Sequence, residues 1–181
     1  MAISGNRYLT KAEQQINATE LWGTLGPQGW TLNAVCGMLG NMQSESTINP
    51  GIWQNLDKGN LKGGYGLVQW TPATNYIDWA NARGLDITKM EGQLQRINWE
   101  VENKQQWIAT GEYPFSFADF KISTAEPYYL AMAFLRNYER PKEPNQPWRG
   151  TQANGWWEYL SGQPIPTTTH KLPLWMYLKL F

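Results

Sequence analysis

The sequence predicts a mostly helical α+β domain with one small antiparallel β-hairpin, on three observations. Apolar residues recur at helical spacing in several separate runs. Capping residues at one end and Gly or Pro at the other bracket those runs. One stretch, residues 49–72, drops the helical period and places a turn-forming run between two short extended segments. At 181 residues, 41% hydrophobic and 17% charged, the chain is long enough to bury one substantial core.

Thr10-x-x-Glu13 is a capping-box signal, and the helix it opens should stop near Gly26-Pro27. Thr31 caps a second helix, on which Leu32, Val35, Cys36, Leu39, Met42 and Gln43 form one apolar stripe. Asn49-Pro50-Gly51 cannot continue it, because proline lacks a donor and restricts the residue before it. Glu45 therefore falls in the last turn, at the edge of the stripe. Trp53-Gln54-Asn55-Leu56 and the run Tyr65 to Trp70 read as two strands flanking Asp57 to Gly64. A short helix over Ala73 to Ala82 ends at Arg83-Gly84. Met90, Leu94, Ile97, Val101 and Ile108 predict one long helix from Thr88 to about Thr110. Ser123 or Thr124 caps the next, which has Glu126 and Pro127 in its first turn and runs through Leu130, Ala131, Phe134 and Leu135 to Tyr138. A last helix spans about Gly150 to Leu160, with Trp157 and Leu160 facing inward. The folded domain is placed at residues 1–162. Residues 163–181 read as a Pro/Thr linker followed by a short apolar segment, Leu172 to Phe181, too short to span a bilayer.

Composition excludes several functions. Fifteen basic and fifteen acidic residues give no electrostatic footprint for nucleic acid or for an anionic membrane surface. Cys36 is the only cysteine and His170 the only histidine. No intramolecular disulfide can form, and the two lie too far apart in character, one on a buried stripe and one in a Pro/Thr-rich tail, to suggest a cysteine or serine nucleophile with a histidine base. They also cannot supply the usual ligands of a zinc peptidase, so no metal and no cofactor is expected. Met1 to Lys11 lacks a signal-peptide pattern and no long apolar span comes after it, which predicts synthesis in the cytoplasm and no stable membrane insertion. Eleven tryptophans and nine tyrosines are the anomaly. Such rings fill cores or stack on the flat faces of sugars.

Glu45 is the residue with the clearest chemical potential. The negative end of a helix macrodipole and neighbouring apolar rings both disfavour a carboxylate anion, which suits a general acid. The competing reading is an ordinary solvated glutamate at a helix end. The downstream residues separate the two. Glu45-Ser46 followed by Gly66-Leu67-Val68-Gln69 resembles the Glu-Ser and Gly-Leu-x-Gln motifs of goose-type lysozymes and lytic transglycosylases. Longer runs are more specific: Gly37 to Ser46, Asn49-Pro50-Gly51-Ile52-Trp53-Gln54, Tyr65 to Pro72, and Tyr138-Glu139-Arg140-Pro141 with Asn145-Gln146-Pro147. These resemble the phage tail lysozyme family, and within it the lysozyme-like amino-terminal domain of the tail-knob peptidoglycan hydrolases (morphogenesis proteins) of small short-tailed phages of Gram-positive bacteria. The similarity covers roughly residues 4 to 162.

That resemblance implies a lysozyme-like fold and cleavage of the β-1,4 bond between N-acetylmuramic acid and N-acetylglucosamine, with Glu45 as general acid. Gln69 would orient the sugar or a water, unless it is a strand residue bonded to backbone. Ser46 would hold Glu45 or simply end the helix. Tyr65 and Trp70, in the matching run, and Tyr138, in a block where relatives carry a cleft tyrosine, are substrate-binding candidates with core packing as the rival reading. Asp57, in the hairpin turn, is the candidate second carboxylate, although turns favour aspartate for local hydrogen bonding. Hydrolase and lytic transglycosylase remain open, as do entry enzyme, endolysin for lysis, and a wall-binding or tail-structural module without catalysis. The implied partners are peptidoglycan glycan strands and phage tail proteins. The implied location is the virion tail, acting on the host wall. Relatives continue past a glycine-rich linker into a zinc peptidase domain, but its residues are not in this sequence and no peptide cleavage is carried over. The apolar segment Leu172 to Phe181 would dock on the domain, with a tail partner as the alternative.

Overall fold

The computed structural model describes residues 1–163. His170 and the apolar segment Leu172 to Phe181, with nearly all of the linker, lie outside the described residues. The described chain folds into seven α-helices joined by turns: α1 (Lys11–Leu25), α2 (Leu32–Ser46), α3 (Thr74–Asn81), α4 (Met90–Glu102), α5 (Phe117–Ile122), α6 (Pro127–Phe134) and α7 (Trp148–Ser161).

Helix α1 opens on the expected capping box. Thr10 Oγ1 accepts from the Glu13 amide, and Glu13 Oε2 accepts from the Thr10 amide at 2.9 Å, which satisfies two of the orphan donors at the helix start. Thr31 caps α2 by accepting from the Ala34 amide at 3.2 Å. Helix α2 is the axis of the fold: Ala34 through Met42 are all buried, and α6 and α7 pack against it more extensively than any other pair of elements does. The approach of α7 depends on Gly40, where an added Cβ would strike the Arg149 carbonyl and Ala153. Cys36 is buried on this axis, and burial pushes its thiol well above the ordinary range, which suits packing and not nucleophilic attack.

Several expectations need correction. No β-strand forms among the described residues. The stretch expected to be a hairpin contains only isolated antiparallel bridges, Trp53 with Tyr65 and Tyr65 with Trp70. Asn55, Leu56, Gly66 and Gln69 all adopt positive φ, so neither run stays extended long enough to build a ladder. The long helix expected from Thr88 to Thr110 is α4 alone, ending at Glu102. Lys104 and Gln106 then take positive φ, and Ile108 is exposed. A short helix, α5, forms where the apolar spacing predicts none, with Ser116 and Asp119 closing a capping box on it. Helix α6 starts at Pro127 with Glu126 as its cap, in place of Ser123 or Thr124, and continues as a wider π-helical turn over Leu135–Glu139. Helix α7 begins at Trp148, two residues earlier than Gly150, and it is Trp156 that is buried, while Trp157 is 41% exposed. Leu160 faces inward as expected.

Candidate active site

Helix α2 ends where its last residues meet two other segments. Thr47 and Ile48 turn the chain out through left-handed φ values of 54° and 57°. Asn49 then donates to the Gly5 and Arg7 carbonyls at 2.6 Å each and ties the N-terminal strap to this exit. Ser46 Oγ donates to the Leu67 carbonyl at 2.8 Å, while Gln93 of α4 accepts from the Leu67 amide at 2.7 Å and donates to the Pro50 carbonyl at 2.6 Å. Gly66 lies against this amide at φ 80°, where a side chain would collide with Gln93. The segment 50–72 is thus clamped between α2 and α4 by side-chain hydrogen bonds to its backbone, in the way a sheet would otherwise hold it.

One wall of this clamp, the end of α2 and the π turn enclose a cleft of about 540 Å³. Glu45 lines it, its side chain 22% exposed. Arg149, from the first turn of α7, reaches it from the protein side. Arg149 Nη2 donates to Glu45 Oε1 at 2.6 Å, Nη1 to Asn41 Oδ1 at 3.2 Å, and Nε to Gln146 Oε1 at 2.6 Å. A charge-assisted bond of this length fixes the carboxylate's orientation, and its guanidinium offsets the negative end of the α2 dipole.

The sequence candidates separate into two sets. Gln69, Trp70 and Tyr138 line the cleft with Glu45. Gln69 Nε2 donates to the Gly66 carbonyl at 2.9 Å, so its amide is bonded to backbone as well as facing the cleft. Trp70 and Tyr138 are anchored behind it: Trp70 Nε1 donates to Glu100 Oε1 at 3.0 Å and Tyr138 Oη to Glu100 Oε2 at 2.6 Å, while Arg96 Nε meets Glu100 Oε1 at 2.8 Å. Burial raises the Glu100 carboxyl above its usual range, with Tyr138, Arg96 and Trp70 pulling the other way. The second set does not reach the cleft. Tyr65 is 1% exposed and donates its hydroxyl to the Ile87 carbonyl, so it is a core residue. Ser46 is fully buried and closes the helix onto Leu67. Asp57 is exposed, accepts from Asn60 at 3.1 Å, and is not among the residues that line the cleft.

Three residues in or behind the cleft are not among the site residues expected from the sequence. Trp53 lines the wall beside Trp70 and packs on Tyr65 with ring centroids 4.7 Å apart. Arg149 lies in a stretch without a motif. Glu139 also lines the cleft, because the π turn carries Tyr138 inward and its neighbour toward Glu45. Burial raises the Glu139 carboxyl well above the ordinary glutamate range. The Glu45 and Glu100 charges raise it further, and Arg149 and Arg140 oppose them. Its signal is present in the block Tyr138-Glu139-Arg140-Pro141, where the tyrosine draws attention away from the acid beside it.

Residues 16–160 match the family described as phage tail lysozyme. The chain is also 55% identical over 163 residues to "Morphogenesis protein 1" of Bacillus phage B103, an alignment that takes in 90% of this chain and 44% of that protein. This chain therefore spans less than half the length of that relative.

Proposed function

Since the chain belongs to the phage tail lysozyme family, we propose that it cleaves the β-1,4 bond between N-acetylmuramic acid and N-acetylglucosamine in bacterial peptidoglycan, with Glu45 as the catalytic acid. The observation that carries this reading is Glu45 itself, at the foot of the central helix, open to the cleft and held by a buried arginine. Glu45 donates its proton to the glycosidic oxygen as that bond breaks toward an oxocarbenium-like state. The Arg149 guanidinium takes up the negative charge left on the carboxylate and keeps it aimed at the sugar. Trp53 supplies an apolar surface for a sugar ring, with the buried Trp70 packed behind the wall, and Gln69 supplies a polar edge. The bound strand is a long polymer, and an open cleft suits it better than a closed pocket would.

The morphogenesis protein name of the Bacillus phage relative supports a virion-associated role, and to that reading we add phage tail proteins as partners and the host wall at entry as the target. Zymography on purified peptidoglycan with the protein and with Glu45→Gln tests the chemistry: clearing by the first and none by the second is expected, and equal clearing removes Glu45 from the reaction. Mass spectrometry of the released fragments separates a hydrolase, which leaves reducing ends, from a transglycosylase, which leaves anhydro ends. Proteomics of purified virions tests the location.

A further inference from the structure

The glycosidase reading uses one carboxyl group, and the cleft holds two. Glu139 is half-buried overall, but its Oε1 is shut off from solvent and finds no hydrogen-bond partner among the described residues. A buried, unpartnered carboxyl oxygen is costly and uncommon. It is tolerated at little cost when the group carries a proton or exchanges one with a neighbour. The charged and titratable groups that face Glu139 come from every element around it: Glu45 from α2, Arg149 from α7, Glu100 from α4, and Arg140 from its own turn. Arg140, which also lines the cleft, commits its Nη1 to the Asn137 carbonyl at 2.7 Å and to that of Gln106. Arg96, Trp70 and Tyr138 already occupy Glu100. Arg149 places its short bond on Glu45. Among the described residues no cation lies within ion-pair distance of Glu139, which shares the cleft with Glu45.

We propose that Glu139 is the second carboxyl of the cleft, and that Glu45 and Glu139 together carry one proton, Arg149 holding the charge of the pair. This rests on the glycosidase reading of the same site. Two carboxyls close together do not both ionise readily, and their protons come off in steps that belong to the pair. Arg149 bonds Glu45, and Glu139 is the other carboxyl that lines the same cleft. In the reaction the O–H bond of Glu45 breaks as its proton passes to the glycosidic oxygen, and the C1–O bond breaks with its electron pair leaving on that oxygen. A water, or the 6-hydroxyl of the sugar, then forms the new bond to C1 and returns one proton to the pair, which ends as it began. Glu139 is thus a positioning residue for a proton and need not touch the sugar.

The test is the pH profile of peptidoglycan clearing for the wild type, Glu139→Gln and Glu45→Gln, with thermal unfolding to confirm folding. Glu139→Gln should move the alkaline limb of activity down by about one pH unit or more, because the shared proton then has one carboxylate fewer to hold it. Its loss of clearing should be smaller at acid pH than at alkaline pH. An unmoved limb, or an equal loss at every pH, overturns the pair. Carboxyl ¹³C titration of Glu139 in the wild type and in Glu45→Gln gives a second readout that needs no change at Glu139. Removing the Glu45 charge should lower the titration of Glu139, and an unchanged titration also overturns the pair. Clearing by Glu45→Gln at the wild-type rate would instead sink the glycosidase reading itself, so the two failures are distinct.

Discussion

Arg149 Nη2 lies 2.6 Å from Glu45 Oε1, across 104 residues of sequence, and the same guanidinium bridges Asn41 and Gln146. A planar fork with three partners is not replaceable by a point charge. Arg149→Lys should lose about 2–3 kcal/mol of stability and slow clearing by about tenfold or more. Chemical denaturation and the clearing rate measure the two effects. A lysine variant that clears at the wild-type rate would show that the orientation of Glu45 does not depend on the fork.

Glu100 anchors two cleft residues from behind, through Tyr138 and Trp70. Glu100→Ala leaves a buried phenol, an indole N–H and the Arg96 guanidinium without their acceptor, which should cost about 3–5 kcal/mol. Glu100→Gln keeps the shape and one acceptor oxygen, and should cost about 1–2 kcal/mol. Urea unfolding of the two variants distinguishes the penalties, and equal small losses would mean that the network is dispensable.

The raised carboxyls of Glu139 and Glu100 have a pH signature. A glutamate that holds its proton more tightly folded than unfolded makes the folded state bind more protons. Stability is then full below the unfolded value, about 4.3, and falls as pH rises from there toward the folded value. Removing such a group removes its share of that slope. Glu139→Gln should therefore gain stability relative to the wild type on going from pH 4 to pH 7, as seen in Tm measured at both. A difference independent of pH would mean that Glu139 titrates normally.

Asp57 is exposed and bonded only within its own turn. Asp57→Asn should leave the clearing rate within about twofold of the wild type. A loss comparable to that of Glu45→Gln would place the second carboxylate at residue 57 after all.

The helical part of the fold is legible in the sequence because caps and stripes are local: Thr10 with Glu13, Thr31, and the run from Val35 to Met42 each specify their helix without distant partners. The turn segment reads wrongly as a hairpin for the opposite reason. Tyr65 to Trp70 has strand-like composition, but Ser46, Gln93 and Glu100 hold it from other elements, and no local pattern records those bonds. Trp156 and Trp157 show how small an error matters. Leu160 alone does not set the phase, because residues three and four positions before it both lie on its side of α7, and it is Trp156, four before, that is buried. Trp156→Ala should cost about 3–5 kcal/mol, whereas Trp157→Ala should cost about 0.5 kcal/mol, and thermal unfolding of both would verify the phase. Glu45 is legible as a motif residue. Arg149 and Glu139 are not, because what matters in them is the company that α7 and the π turn bring to Glu45.

Helix α7 can approach α2 only because residue 40 has no side chain, and on that approach the whole constellation depends. Glu45 is translated early and its cationic clasp late, so the Glu45–Arg149 bond can form only once α7 has been made and has closed against α2. A chain cut before α7 would lose the guanidinium that holds Glu45 and the helix that covers Gly40.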